Sequence, residues 1–202
     1  MSSRAEIFAS IRANLPRLDR PLPSVPLFDA DPPGSLVAQF KESLERMGGL
    51  WLDQPATGDP LAAVQDKIAS AKIVCSTVSE IDGNCEMARV EAPQDLADVD
   101  LVIVRAAFAV AETGSVLLSD TDLKVNAVAY LAQHMIVLLD PTDIVVNLHH
   151  AYRRPELHDR HYAAFHTGPS ATADIEGVLI HGAQGVRSLS VLLLPRSVPL
   201  RN

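Results

Sequence analysis

Two short stretches concentrate side chains that chemistry requires. In AVAETGSVLL, the residues Glu112, Thr113, Gly114 and Ser115 make an acidic, hydroxyl-rich turn between two apolar runs. An unpaired buried carboxylate is costly. Glu112 therefore either accepts hydrogen bonds within its own turn, from Thr113 or Ser115, or serves as a general base or nucleophile at a strand end. The second stretch, GPSATADIEGVLIHGAQGVRSL, runs from Gly168 to Leu189 and gathers four glycines, two carboxylates, a histidine and an arginine. Pro169 and Ser170 ahead of ATADIE predict a helix start, with Ser170 or Thr172 as cap and Asp174 and Glu176 at the positive end of the helix. Ile175, Val178 and Leu179 would face the core, and Gly182 would end the helix. Two carboxylates in those early turns argue against a phosphate cradle, and no GxGxxG or Walker sequence supports a nucleotide site. Arg187 either pairs with Asp174 or Glu176 or grips a substrate carboxylate through two parallel hydrogen bonds.

All seven histidines lie in the C-terminal part, from His134 to His181. His158 and His161 have the spacing of one helical face, but no HExxH and no cysteine pair accompanies them, so no metal site is expected. Cys75 and Cys85 are too few for an iron–sulfur cluster or a cysteine-rich zinc site on this chain alone. The simplest expectation is two reduced structural cysteines, with a disulfide between them left open.

The elements that must position these residues alternate along the chain. MSSRAEIFASIRANL reads as an amphipathic helix, not as the continuous apolar core of an export signal. Six prolines between Leu15 and Gly34 then make an extended linker, whose Leu22, Val25, Leu27 and Phe28 are too apolar to be purely solvated. Residues 1–34 are thus a helix and linker, and 35–202 a single domain. Ser35 to Met47 carries Leu36, Val37, Phe40, Leu44 and Met47 at helical spacing, stopped by Gly48 and Gly49. LWL reads as a strand, Pro60 to Ser70 as a helix, and KIVCS as a strand. Leu101–Val104, Phe108–Ala111 and Ser115–Leu118 follow as apolar strands, then HMIVLL, a turn at Pro141, a helix beginning near Thr142, and a closing strand LSVLLLP. That alternation is the rhythm of a parallel sheet.

Composition excludes several roles. Hydrophobic residues make up 48% of the chain and aromatics only 4%, so the core is aliphatic, as in layered α/β proteins. A net charge of −8 gives no field for nucleic acid or an anionic membrane. The longest apolar run, Leu101 to Ala111, is broken by Arg105 and falls short of the roughly 20 residues a membrane span needs. A cytoplasmic protein is expected.

AETGSVLL together with GPSATADIEGVLIHGAQGVRSLSVLLL resembles the lactate-utilization (LUD) domain family, over most of Val102 to Leu194. In that family the first stretch reads AETG followed by Thr or Ser, a later strand carries a histidine matched by His134, and the second reads GPS-x-TADIE, matched by Thr172 to Glu176. The chain departs from the pattern at Ala171, where a cation is common, and across Gly182 to Val186, where GxHGP is common. The resemblance implies a three-layer α/β/α fold with a largely parallel sheet, like that of glucosamine-phosphate deaminase, ribose-phosphate isomerase and CoA transferases. It also implies a small-acid pocket walled by Glu112, Thr113, Gly114 and Ser115 on one side and Gly168, Pro169, Ser170, Thr172, Asp174 and Glu176 on the other, with His134 and Arg187 contributing. The implied role is in oxidation of L-lactate to pyruvate, beside iron–sulfur partner subunits that also supply any flavin. No cofactor is then expected on this chain, and a homo-oligomer is an additional possibility. The rivals are a stand-alone isomerase or acyl/CoA-transferase using Glu112, and an organic-acid sensor without turnover.

Overall fold

The computed structural model describes residues 3–15, 21, 23–174 and 177–196. Helix α1 (Ser3–Asn14) buries none of its residues. The linker after it is anchored at its far end: the Asn147 side chain donates to the Leu27 carbonyl at 2.7 Å, and the Phe28 ring lies 4.7 Å from the His149 ring. Leu22 lies outside the described residues.

Helix α2 (Leu36–Arg46) begins where the Ser35 hydroxyl accepts from the Ala38 amide, and its Phe40, Ser43 and Leu44 are buried. Burial of Phe40 and Leu44 stabilises by about 1.5–3 kcal/mol each. The chain continues through β1 (Leu50–Leu52), α3 (Ala62–Ser70) and β2 (Val74–Ser76). Next come β3 (Leu101–Arg105), β4 (Phe108–Val110) and β5 (Ser115–Ser119), followed by the single turns α4 (Asp120–Leu123) and α5 (Val128–Leu131). Strand β6 (His134–Leu139) precedes β7 (Ile144–Val145), α6 (Leu148–Ala151), α7 (Pro155–His158) and β8 (Ala163–His166). The chain then forms β9 (Ala171–Thr172), β10 (Ile180–His181) and β11 (Ser188–Leu193).

The central sheet has the order β1-β11-β6-β3-β2, and every neighbouring pair is parallel. Helices flank it on both faces, as expected of a three-layer α/β/α protein. Strict alternation sends one set of side chains, including Ile103, Ile136, Leu138 and Leu192, against Val64 of α3. The opposite set, including Val102, Val104, Val137 and Val191, packs with Phe40 and Leu44 of α2. That second core also takes in Ala109, Val116 and Leu118 from a further sheet of order β7-β4-β5-β8, which is mostly antiparallel. The outer face of the second sheet, through Phe108, Val110 and Leu117, is covered by Leu148 and Leu157 of α6 and α7.

Three local expectations are corrected. Among the described residues the helix placed from Thr172 to Gly182 is replaced by a hairpin: β9 and β10 pair antiparallel, Ile180 opposite Thr172 and His181 opposite Ala171. Val178 and Leu179, which would have faced the core, are 60% and 61% exposed. The helix begun at Thr142 is a single 3₁₀ turn, Pro141–Asp143, and helical structure resumes only at Leu148 behind the Asn147 cap. Cys75 and Cys85 are joined as a disulfide instead of being separate thiols. Their backbones also bridge, and the Asn84 side chain accepts from the Val74 amide while donating to the Lys72 carbonyl. This loop closes the free edge of β2, where unpaired backbone groups would otherwise be exposed.

Candidate functional site

Gly114 and Gly168 explain why the two motif stretches come together. Both have positive φ, +67° and +62°, which a side chain rarely adopts. A Cβ at Gly114 would overlap the backbone of Ser43 and Leu44, and one at Gly168 would overlap the Met47 carbonyl. Both turns therefore press onto the last turns of α2, and Pro169 sits beside Gly48.

A cleft of about 330 Å³ opens where they meet, lined by Ser43, Arg46, Met47, Glu112, Thr113, Ser115 and Thr167. The wall of hydroxyls is continuous: Thr113 and Ser115 are hydrogen-bonded at 2.7 Å, and Ser115 and Thr167 at 2.6 Å. Ser43 donates its hydroxyl to the Glu112 carbonyl at 3.2 Å, and the Glu112 amide donates to Val146 at 3.0 Å. The Glu112 side chain is held by the Leu148 amide, which donates to Oε2 at 3.3 Å, so its partner comes from a distant element and not from Thr113 or Ser115. Arg46 supplies the positive charge. Its ion pair with Glu42, at 3.0 Å, lies between side chains that are 63% and 75% exposed, and such pairs are worth little, so the guanidinium is available to an anion.

The other expected site residues lie around this cleft or away from it. Ser170 anchors the base of the β9–β10 hairpin, its amide donating to Val186 and its carbonyl accepting from Gly182. Thr172 accepts from the Asp174 amide at 3.3 Å, a local turn. Glu176 lies outside the described residues. The Arg187 side chain passes against Gly182, and no ion pair joins it to Asp174 among the described residues. His134 does not line the cleft; its ring Nδ1 is 2.8 Å from the Ser188 hydroxyl at the start of β6 and β11. Ser43, Arg46 and Thr167 were not singled out in the sequence. Ser43 and Arg46 sit on a helix far from either motif in the chain, and only the glycines that must touch α2 hint at them.

Ligands of open α/β sheets usually sit at the carboxyl ends of the strands. Here that edge is filled by ion pairs. Arg105, at the end of β3, pairs with Glu80 at 2.5 Å and donates to the Leu194 carbonyl at 2.8 Å. Burial alone would raise the Glu80 carboxyl, but the hydrogen bond and charge of Arg105 outweigh it and hold it below its ordinary value. Asp140, after β6, behaves alike: desolvation is overcome by the Thr142 hydroxyl and by the amides of Arg196 and Thr142. Arg196 itself pairs with Asp143 at 3.1 Å and donates to the Ala106 carbonyl. The cleft instead lies near the amino end of β1, which follows Met47 after Gly48 and Gly49.

Among the described residues no group of three or more His, Cys, Asp and Glu could hold a metal ion, and no helix is long and apolar enough to cross a membrane. His158 ends α7, so His161 does not continue its face.

The fold has a solved counterpart. A DUF162 family protein from Deinococcus radiodurans superposes with a TM-score of 0.58 at 16% identity, covering 84% of this chain and 99% of that one. No curated protein matches the chain in sequence. The family model of the LUD domain matches residues 38–194, from α2 to the end of the last strand, and so takes in both motif stretches and the helix they press upon. This chain belongs to the LUD-domain family.

Proposed function

We propose that this chain is a cytoplasmic, organic-acid-binding component of an L-lactate utilization system, working with iron–sulfur subunits that take the electrons. The observation that carries the proposal is the cleft beside Glu112, which pairs a cation with an acceptor across a wall of hydroxyls. A 2-hydroxy acid offers the complementary groups. Its carboxylate fits Arg46 and the hydroxyls of Thr113, Ser115 and Thr167, and its α-hydroxyl donates to the Glu112 carboxylate. Pyruvate has no such donor, and its keto oxygen would face the carboxylate.

Oxidation of lactate releases two electrons and two protons. In this reading both electrons pass to the iron–sulfur subunits, in keeping with a chain that has only two cysteines. Tagged full-length chain purified from its native cells is expected to bring down iron–sulfur protein, detectable by its electron paramagnetic resonance. Recovery of the chain alone at native abundance would overturn the complex. For the ligand, L-lactate is expected to bind about tenfold or more tightly than pyruvate, the worth of one hydrogen bond to a charged acceptor. Glu112→Gln should erase most of that preference; equal affinities in the unmodified protein would refute the assignment.

A second reading rests on the exposed position of Glu112 in the cleft. There the carboxylate would act as nucleophile in acyl or CoA transfer. Formation of a Glu112-linked acyl intermediate from a CoA thioester, read by intact-protein mass, separates the two.

A further inference from the structure

A second cavity, of about 290 Å³, lies between α3 and the amino ends of β3, β6 and β11. None of its lining residues borders the cleft beside Glu112. The register explains its chemistry. Ser188, His134 and Leu101 are aligned across the three strands, as are Ser190, Ile136 and Ile103. All six side chains point to the α3 face, where Ile103, Ile136, Leu138 and Leu192 pack against Val64. Polar groups on a buried sheet face cost stability unless they are used. Ser190 is 1% exposed and lines the cavity.

We propose that this cavity binds a phosphate group, either inorganic phosphate or a small phosphate monoester. Lys67, half-buried on α3, lines it and is in no ion pair among the described residues. His134 and Ser188 share one hydrogen bond, at 2.8 Å, and present a free donor in either tautomer. If the ring donates, the Ser188 hydroxyl proton is free; if the ring accepts, the other ring nitrogen carries a proton. With Ser190 and Lys67 this makes a cluster of point donors converging from helix and sheet. Such a set suits a tetrahedral anion with several acceptor oxygens, whereas a planar carboxylate favours the fork of an arginine. Asp100 also lines the cavity and stays ionised, chiefly because the amides of Ile73 and Lys72 donate to it, with Lys72 adding its charge. Both amides engage its Oδ2, and within the lining the Lys67 ammonium offsets its charge.

The test is a calorimetric titration of the full-length protein with inorganic phosphate, with glycerol 3-phosphate and with acetate. Saturable binding of either phosphate is expected, the stronger of the two identifying the source. Lys67→Gln, which keeps a good helix former at a half-exposed position, should weaken it about tenfold, as should Ser190→Ala by a smaller factor. Arg46→Gln, in the other cleft, should leave it unchanged. Circular dichroism establishes that each variant is folded. The proposal is overturned by absence of saturable phosphate binding, by binding that survives Lys67→Gln or is lost in Arg46→Gln, or by acetate binding as well as phosphate with the same dependence on Lys67.

Discussion

At the scale of single residues, Gly114 does more for the cleft than the carboxylate beside it. Its φ of +67° and the α2 backbone packed against it leave no room for a Cβ. Gly114→Ala is expected to cost at least ~2 kcal/mol, combining a strained left-handed backbone with overpacking, and to lower Tm by about 4–8 °C. Thermal denaturation checks this; an unchanged Tm would mean that the turn does not depend on contact with α2. His166 offers a second residue-level prediction. Burial depresses its pKa, and its Nε2 has no hydrogen-bond partner among the described residues. The folded protein therefore binds this proton less readily than the unfolded chain does. The associated stability is present above the unfolded value of about 6.5 and is lost as pH falls below it toward the lower folded value. His166→Gln should make the denaturant midpoint fall less steeply with acidification below about pH 6.5 than in the unmodified protein. Identical slopes would place His166 in solvent.

At the scale of elements, α1 stands apart. None of its residues is buried, and Ile7, Phe8, Ile11 and Leu15 are all more than two-fifths exposed. Removing residues 1–15 is expected to shift the Tm of the remaining chain by less than about 2 °C. A larger loss, seen by calorimetry, would mean that the helix docks on the domain. The central elements were legible in the sequence because each carries its burial in its pattern: α2 in Phe40 and Leu44 behind a serine cap, β3, β6 and β11 in continuous aliphatic runs. The β9–β10 hairpin was not legible. Its apolar residues have helical spacing, but Val178 and Leu179 have no core to enter, and pairing through short strands wins. Strand β8 is not legible either, because AAFH, half-buried throughout, has no strong alternation. The second sheet was hidden for a related reason, since β7 is two residues long and pairing partners are not encoded locally. Of the cleft, the Glu112 turn and Gly168 were legible as motifs, whereas Arg46 and Ser43 were not, because their role arises only when two glycine turns seat on α2.

At the scale of the whole molecule, the distribution of charge divides the central sheet into two unlike ends. The carboxyl ends of β3 and β6 are closed by Arg105, Glu80, Asp140, Asp143 and Arg196, which satisfy one another. The open polar cavities lie elsewhere, one beneath α3 and one beside the end of α2. The LUD match from residue 38 to 194 spans both, so each belongs to the family domain and not to the helix and linker ahead of it. The proposed role requires that the α2 cleft hold a small hydroxy acid through Arg46. The most direct measurement is calorimetric titration of the full-length protein with L-lactate, compared with Arg46→Gln. Saturable binding that weakens about tenfold or more in the variant is the predicted result. Absence of binding, or equal affinity in the two proteins, would contradict it.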